Sequence, residues 1–150
     1  MEVELMLNNQ KGFLLLESLL ALAIAASLLL IPPLLSRKVI SATEGELFKQ
    51  QLESSVTATQ NYAVLSGKMT KMELSRQNKK IQFSLLNSPE HSFNHTLVFP
   101  ESVSALSTTK VFHFLGGSGN IRDLDSMSFV IDGKRAVFKF QMGSGRYEWE

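Results

Sequence analysis

The chain contains no cysteine. That excludes a disulfide, a thioether-linked lipid, a thiolate metal site and a thiol nucleophile, so an outward-facing domain would be held together by its core alone. Neither sign of charge is in excess. Lys and Arg number 15 against 14 Asp and Glu, a net charge of +1, too even for nucleic-acid or acidic-lipid binding by bulk electrostatics. Such a partner needs a local patch. There is no internal repeat and no low-complexity linker. No Ser, His and Asp set stands in a recognisable catalytic arrangement, so the chain is not expected to be an enzyme, and no cofactor is expected.

Charge is also scarce within one segment. The 23 residues from Phe13 to Leu35, FLLLESLLALAIAASLLLIPPLL, carry a single ionisable side chain, Glu17. At about 1.5 Å per helical residue the run can cross a hydrocarbon layer about 30 Å thick. A carboxylate in such a helix costs roughly 2.5 to 3.5 kcal/mol at the membrane centre, so an unpaired one calls for an explanation.

Three readings account for the run. A secretory signal peptide has a basic start, a shorter apolar core and a small-residue cleavage site. Here Glu2 and Glu4 stand against Lys11, and only the Ala23, Ala25, Ala26 and Ser27 cluster imitates such a site. A plain single-pass anchor explains the length and leaves Glu17 without a role.

The third reading gives Glu17 one. A polar leader, then Lys11, Gly12 and Phe13, then Glu17 at the fifth position after Gly12, resembles the signature of the type IV prepilin family. The resemblance implies that a prepilin peptidase cuts between Gly12 and Phe13 and that the new amine of Phe13 is N-methylated. It also implies that Glu17 pairs with the N-terminal amine of a neighbouring subunit during assembly. The physics suits that role, because a buried carboxylate is tolerated with a partner charge and strongly unfavourable without one.

On this reading residues 1–12 are the leader, 13–35 a transmembrane and assembly helix, and 36–150 an extracytoplasmic domain. Arg37 and Lys38 follow the run, so the positive-inside rule alone would place the C-terminal side in the cytoplasm. The resemblance implies the opposite orientation, with the domain outside and on the cell surface after assembly. Pro32 and Pro33 lack amide donors and are expected to kink or locally unwind the helix.

Beyond the prolines, Leu47, Phe48, Leu52, Val56, Thr59 and Ala63 recur among charged and amide residues. This spacing predicts an amphipathic helix with its apolar stripe on a sheet and a stop at Gly67. Residues 13 to 66 would then form one long, interrupted helix. Alternation predicts strands at 81–85, at 97–99 up to Pro100, and around Phe112 and Phe114. A hairpin is predicted from 127–131 and 136–142 about Asp132 and Gly133, a dipeptide that accepts the positive φ of a type I′ turn. Gly143 to Gly145 make a last turn. The order is α+β: a long N-terminal helix packed on a small antiparallel β-sheet, as in pilin-like proteins.

The GFLLLESLLAL, TQNYA and terminal GSGR stretches, at residues 12–22, 59–63 and 143–146, look like those of minor pseudopilins of the Gram-positive competence machinery. That resemblance implies a structural subunit of a pseudopilus needed for DNA uptake in natural transformation. Its partners would be the other major and minor competence pseudopilins, the prepilin peptidase, and the membrane platform protein with its assembly ATPase. Two alternatives stay open. One is a minor pilin of another type IV pilus or type II secretion system, and the other is a single-pass anchored protein with an independent binding domain.

Other candidate sites have plainer readings. His91 and His95 have a helical metal-ligand spacing, but Pro89 and Asn94 argue for a loop and no third ligand is near, so no metal is expected. Gly117, Ser118 and Gly119 lack the P-loop pattern and read as a turn. Asn94, His95 and Thr96 form a sequon that matters only where the glycosylation machinery exists. Lys79 with Lys80, and Lys134 with Arg135, could form a basic edge that contacts DNA, with Tyr147 or Trp149 stacking on exposed bases.

Overall fold

The computed structural model describes residues 2–150 except Leu124, Met142 and Gly143, with side chains described outside residues 2–12 and 29–41. One long helix, α1 (Glu2–Ser66), precedes eight strands. They are β1 (Thr70–Ser75), β2 (Lys80–Leu85), β3 (His95–Val98), β4 (Val103–Ala105), β5 (Lys110–Phe114), β6 (Ser126–Ile131), β7 (Lys134–Phe140) and β8 (Tyr147–Trp149). The chain divides into two compact units, Met1–Ile40 and Ser41–Glu150.

The first unit is helical. From Phe13 to Leu28 every described side chain is exposed. The hydroxyls of Ser18 and Ser27 donate back to the carbonyls of Leu15 (2.9 Å) and Ala23 (2.7 Å). Among the described residues no helix is long and apolar enough to cross a membrane. The expected 13–35 run is described in its side chains only to Leu28.

α1 continues unbroken past residues 32 and 33, so the expected interruption is not a break in the helix. The two prolines remove only two amide donors, and the surrounding ladder persists. Any kink at Pro32 and Pro33 involves side chains that lie outside the described residues.

The second unit is α+β, as expected, with two antiparallel sheets in place of one. The first has the order β3-β2-β1-β5 and the second β4-β6-β7-β8. Alternation drives both. β1 and β6 point every second residue inward, and the inner faces meet where Phe112 and Phe114 of β5 lie 5.2 and 5.9 Å from Phe140 of β7, ring centre to ring centre.

Residues 48 to 63 of α1 close this core with Phe48, Leu52, Val56, Thr59 and Ala63, all buried. Leu47, assigned to the same stripe from spacing, is half exposed. It sits one position, about 100° of helical turn, from Phe48, and the core takes Phe48.

The helix ends as expected. Gly67 has φ +68°, a left-handed conformation open to glycine at the residue after the last helical one. Asp132 and Gly133 both have positive φ, 51° and 75°, so the predicted β6–β7 hairpin turns as the dipeptide suggested. Strand ends differ modestly. β3 begins at His95 and stops at Val98, while β7 starts two residues early at Lys134 and ends at Phe140.

Candidate functional site

Three places carry the functional expectations: the start of the apolar segment, the basic turns, and the seam where α1 meets the sheets.

At the first, the Gly12–Phe13 bond lies within α1. Gly12 falls among residues whose side-chain surroundings are not described. Phe13 is 70% exposed and Glu17 is exposed one helical turn further on, so the backbone of Phe13 and the carboxylate of Glu17 share a face. If the chain began at Phe13, its amine would sit at a helix N-terminus with a carboxylate in the first turn, where the helix dipole favours negative charge.

The basic residues lie in two turns. Lys79 is in the β1–β2 turn at φ 47° and Lys80 opens β2, while Lys134 and Arg135 open β7. None of the four has an ion-pair partner among the described residues. Both turns lie at the end of the second unit that holds Glu44 and Gly45. The Phe99 amide donates to the Lys79 carbonyl at 2.9 Å, and the Phe99 ring packs on Phe48 at 5.4 Å. The Asp132 amide donates to the Ser102 carbonyl at 3.1 Å, and Ser102 Oγ donates to the Glu44 carboxylate at 3.3 Å. A side chain on Gly45 would strike Ile131 and Asp132.

Tyr147 and Trp149 do not join this edge. The indole Nε1 of Trp149 donates to Glu53 at 2.8 Å, and the Tyr147 hydroxyl donates to the Glu53 carbonyl at 3.3 Å. Both rings pack on Phe138 with centres 4.9 Å away, and Lys49 Nζ stands 5.8 Å from the centre of the indole ring. Part of their aromatic area fastens β8 to α1, and both rings remain half-buried. An amphipathic ring looks the same in sequence whether its polar tip meets water or a helix.

The seam at the opposite end is built from glycine. The Gly117 amide donates to the Ala63 carbonyl at 2.9 Å, satisfying a group of the last helical turn. A Cβ on Gly116 would collide with the backbone of Gly67. The Gly117–Gly119 stretch is therefore a docking turn. Gln60 of the TQNYA stretch donates to the carbonyl of Gly145 in the terminal GSGR stretch, so the two motifs meet. Beside them Tyr62 stacks on Phe93 at 4.3 Å.

The histidines are part of this scaffold. His91 Nδ1 accepts from the Phe93 amide at 3.2 Å and its Nε2 faces the Tyr62 hydroxyl at 3.2 Å, which fixes the Nε2–H tautomer. His95 is on β3, with its Nδ1 3.0 Å from the Phe93 carbonyl and its ring stacked on Phe83. Asn94 accepts from the Leu85 amide and donates to the carbonyls of Ser88 and Pro89, all at 2.8 Å. No group of three or more metal-ligating side chains occurs among the described residues.

A cleft of about 530 Å³ lies beside this loop, floored by Lys71, Glu73, Gln82 and Ser84. Its two charges neutralise each other at 3.1 Å. Across the sheet His113 Nδ1 meets Asp123 at 2.7 Å.

The architecture has a counterpart of known type. The minor pseudopilin EpsH from the type 2 secretion system of Vibrio cholerae superposes with a TM-score of 0.56, covering 71% of this chain and 96% of that one. The fold is similar to that of EpsH. Identity to EpsH is 14%, so the likeness is one of fold. No protein-family description and no curated sequence matches the chain. The seam residues Gln60, Gly116 and Glu53 are structural. Among the described residues, the Glu17 side chain is exposed and Lys79, Lys80, Lys134 and Arg135 have no ion-pair partner.

Proposed function

We propose that this chain is a minor pseudopilin, a structural subunit of a competence pseudopilus that serves DNA uptake, anchored in the membrane by residues 13–35 with its α+β domain outside. The observation that carries the reading is Glu17, one helical turn from Phe13 in an otherwise uncharged run, on a chain with a pseudopilin fold. Prepilin peptidase removes residues 1–12, and the amine of Phe13 is methylated. Glu17 then meets the N-terminal amine of a neighbouring pseudopilin. A subunit out of register leaves that carboxylate unpaired at a cost of several kcal/mol, so the pair acts as an assembly check. Other pseudopilins, the membrane platform and its ATPase are the partners, and the chain itself is not an enzyme.

The competence assignment rests on the resemblance of the TQNYA and GSGR stretches, which meet in one packed seam. The fold likeness to a type 2 secretion subunit favours the second reading, a minor pilin of a secretion pseudopilus or another type IV pilus. Replacing Glu17 tests the shared core of both. Glu17→Ala keeps the protein in the membrane and stops its incorporation into a filament assembled with its partner pseudopilins. Normal incorporation of the variant, read by cross-linking in sheared filaments, would leave only an anchored domain.

A further inference from the structure

The two basic turns form one face. Residues 99–103 bridge them, with Phe99 bonded to Lys79, Asp132 bonded to Ser102, and the Val103 amide closing the intervening turn on Pro100 at 3.1 Å. Arg76, Lys79, Lys134 and Arg135 are exposed and Lys80 is half-buried. The acidic groups nearby are fewer. Glu44 holds Ser102, Glu46 pairs with Lys49 at 3.6 Å, Asp132 is bonded, and Glu101 is exposed. Five cations thus outnumber the carboxylates of this end within a chain that is otherwise balanced.

Position along the chain says what they meet. Glu44 and Gly45 lie at this end of the second unit, and Glu44 follows Leu35 by nine residues in the sequence. We infer that the face formed by Arg76, Lys79, Lys80, Lys134 and Arg135 docks the domain onto anionic phospholipid headgroups before assembly. This rests on the anchored reading above. Anionic headgroups attract clustered Lys and Arg within about a Debye length, roughly 8 to 10 Å at physiological salt, and the second unit begins, near Glu44 and Gly45, at this same end. Docking would hold a waiting subunit against the membrane, and extraction into a filament would release it.

The absence of cysteine permits single-site labelling. Full-length protein with Asn78→Cys carries a fluorophore in the β1–β2 turn, Ser118→Cys places it at the opposite end, and Leu20→Cys places it in the apolar segment. Each is reconstituted in nanodiscs of phosphatidylcholine, with or without phosphatidylglycerol, containing headgroup- or acyl-chain-quencher lipid.

Headgroup quenching at position 78 should rise about fivefold on adding the anionic lipid, with none at 118, and should vanish at high salt or with K79E/K80E/K134E/R135E. Equal quenching at 78 in both discs, with acyl-chain quenching intact at position 20, overturns the inference alone. Loss of quenching at position 20 overturns the anchored reading itself. If the fourfold variant loses binding to double-stranded DNA while its headgroup quenching is unchanged, the face is a DNA contact and the lipid inference fails.

Discussion

Phe48 is where the helix is fastened to both sheets, and truncating it should nearly unfold the second unit. Its side chain is 1% exposed, with its ring 5.4 Å from Phe99, which follows β3, and 5.5 Å from Phe129 on β6. Those two rings are 6.0 Å from each other, so the three form a closed cluster. Phe48→Ala removes the transfer energy of a buried ring and leaves a cavity walled by two stiff aromatics, a change that costs roughly 3 to 5 kcal/mol. Two edge-to-face contacts, each worth about 0.5 to 1.5 kcal/mol, keep it off the bottom of that range, at about 4 kcal/mol.

For a domain of this size that lowers Tm by about 15 °C. Thermal unfolding of the full-length protein in detergent, followed by near-ultraviolet circular dichroism, measures it. Leu47→Ala is the control: it lies next door on the same helix but is half exposed, and should cost under about 1 kcal/mol. A Phe48→Ala shift no larger than that of Leu47→Ala would refute the claim that this ring pins α1 to the sheets.

Other consequences are smaller or differently read. Gly116→Ala forces a methyl into the backbone of Gly67 and should cost about 2 kcal/mol in urea unfolding, whereas Ser118→Ala, at an exposed turn position, should cost almost nothing. Glu53→Ala frees the Trp149 indole from its acceptor, so Trp149 fluorescence should shift to the red with a loss of about 1 to 2 kcal/mol; an unchanged emission maximum would contradict the assigned bond. The Asp125 carboxyl is held below its ordinary value of 3.8 first by its hydrogen bond from Lys110 at 2.5 Å, against some desolvation. A depressed carboxyl stabilises the fold above its unfolded pKa and loses that contribution as pH falls through the lower folded value. Lys110→Gln should therefore remove a small stabilisation that wild type shows at neutral pH and loses below about pH 4.

Much of the domain was legible because local chemistry and tertiary structure agree. Ile81, Phe83 and Leu85 alternate and are buried, Gly67 ends the helix, and Asp132-Gly133 turns the hairpin. β1 was missed although Met72 and Leu74 alternate, because its first inward residue is Thr70, whose hydroxyl is satisfied by the Thr59 carbonyl at 3.1 Å. A polar residue at the start of a short strand hides the period. β4 has three residues, too few for any period, and exists by pairing with β6.

The division into two sheets was not readable at all. It depends on β5 reaching back to pair Phe114 with Thr70, a contact that alternation does not encode. At the candidate site, Glu17 stood out because a charge in an apolar run is costly. Glu53 did not stand out, since a helix-face glutamate looks solvated until Trp149 is seen bonded to it.

The central claim is that residues 1–12 are a leader and that Phe13 becomes the amine that Glu17 chemistry requires. The most direct test is the intact mass and N-terminal sequence of the protein made with and without a prepilin peptidase. The account predicts a product that begins at Phe13, carries a methyl group on its amine and forms only with the peptidase. A chain that keeps Met1 in the presence of the peptidase, or is cut near Ala26, would contradict it.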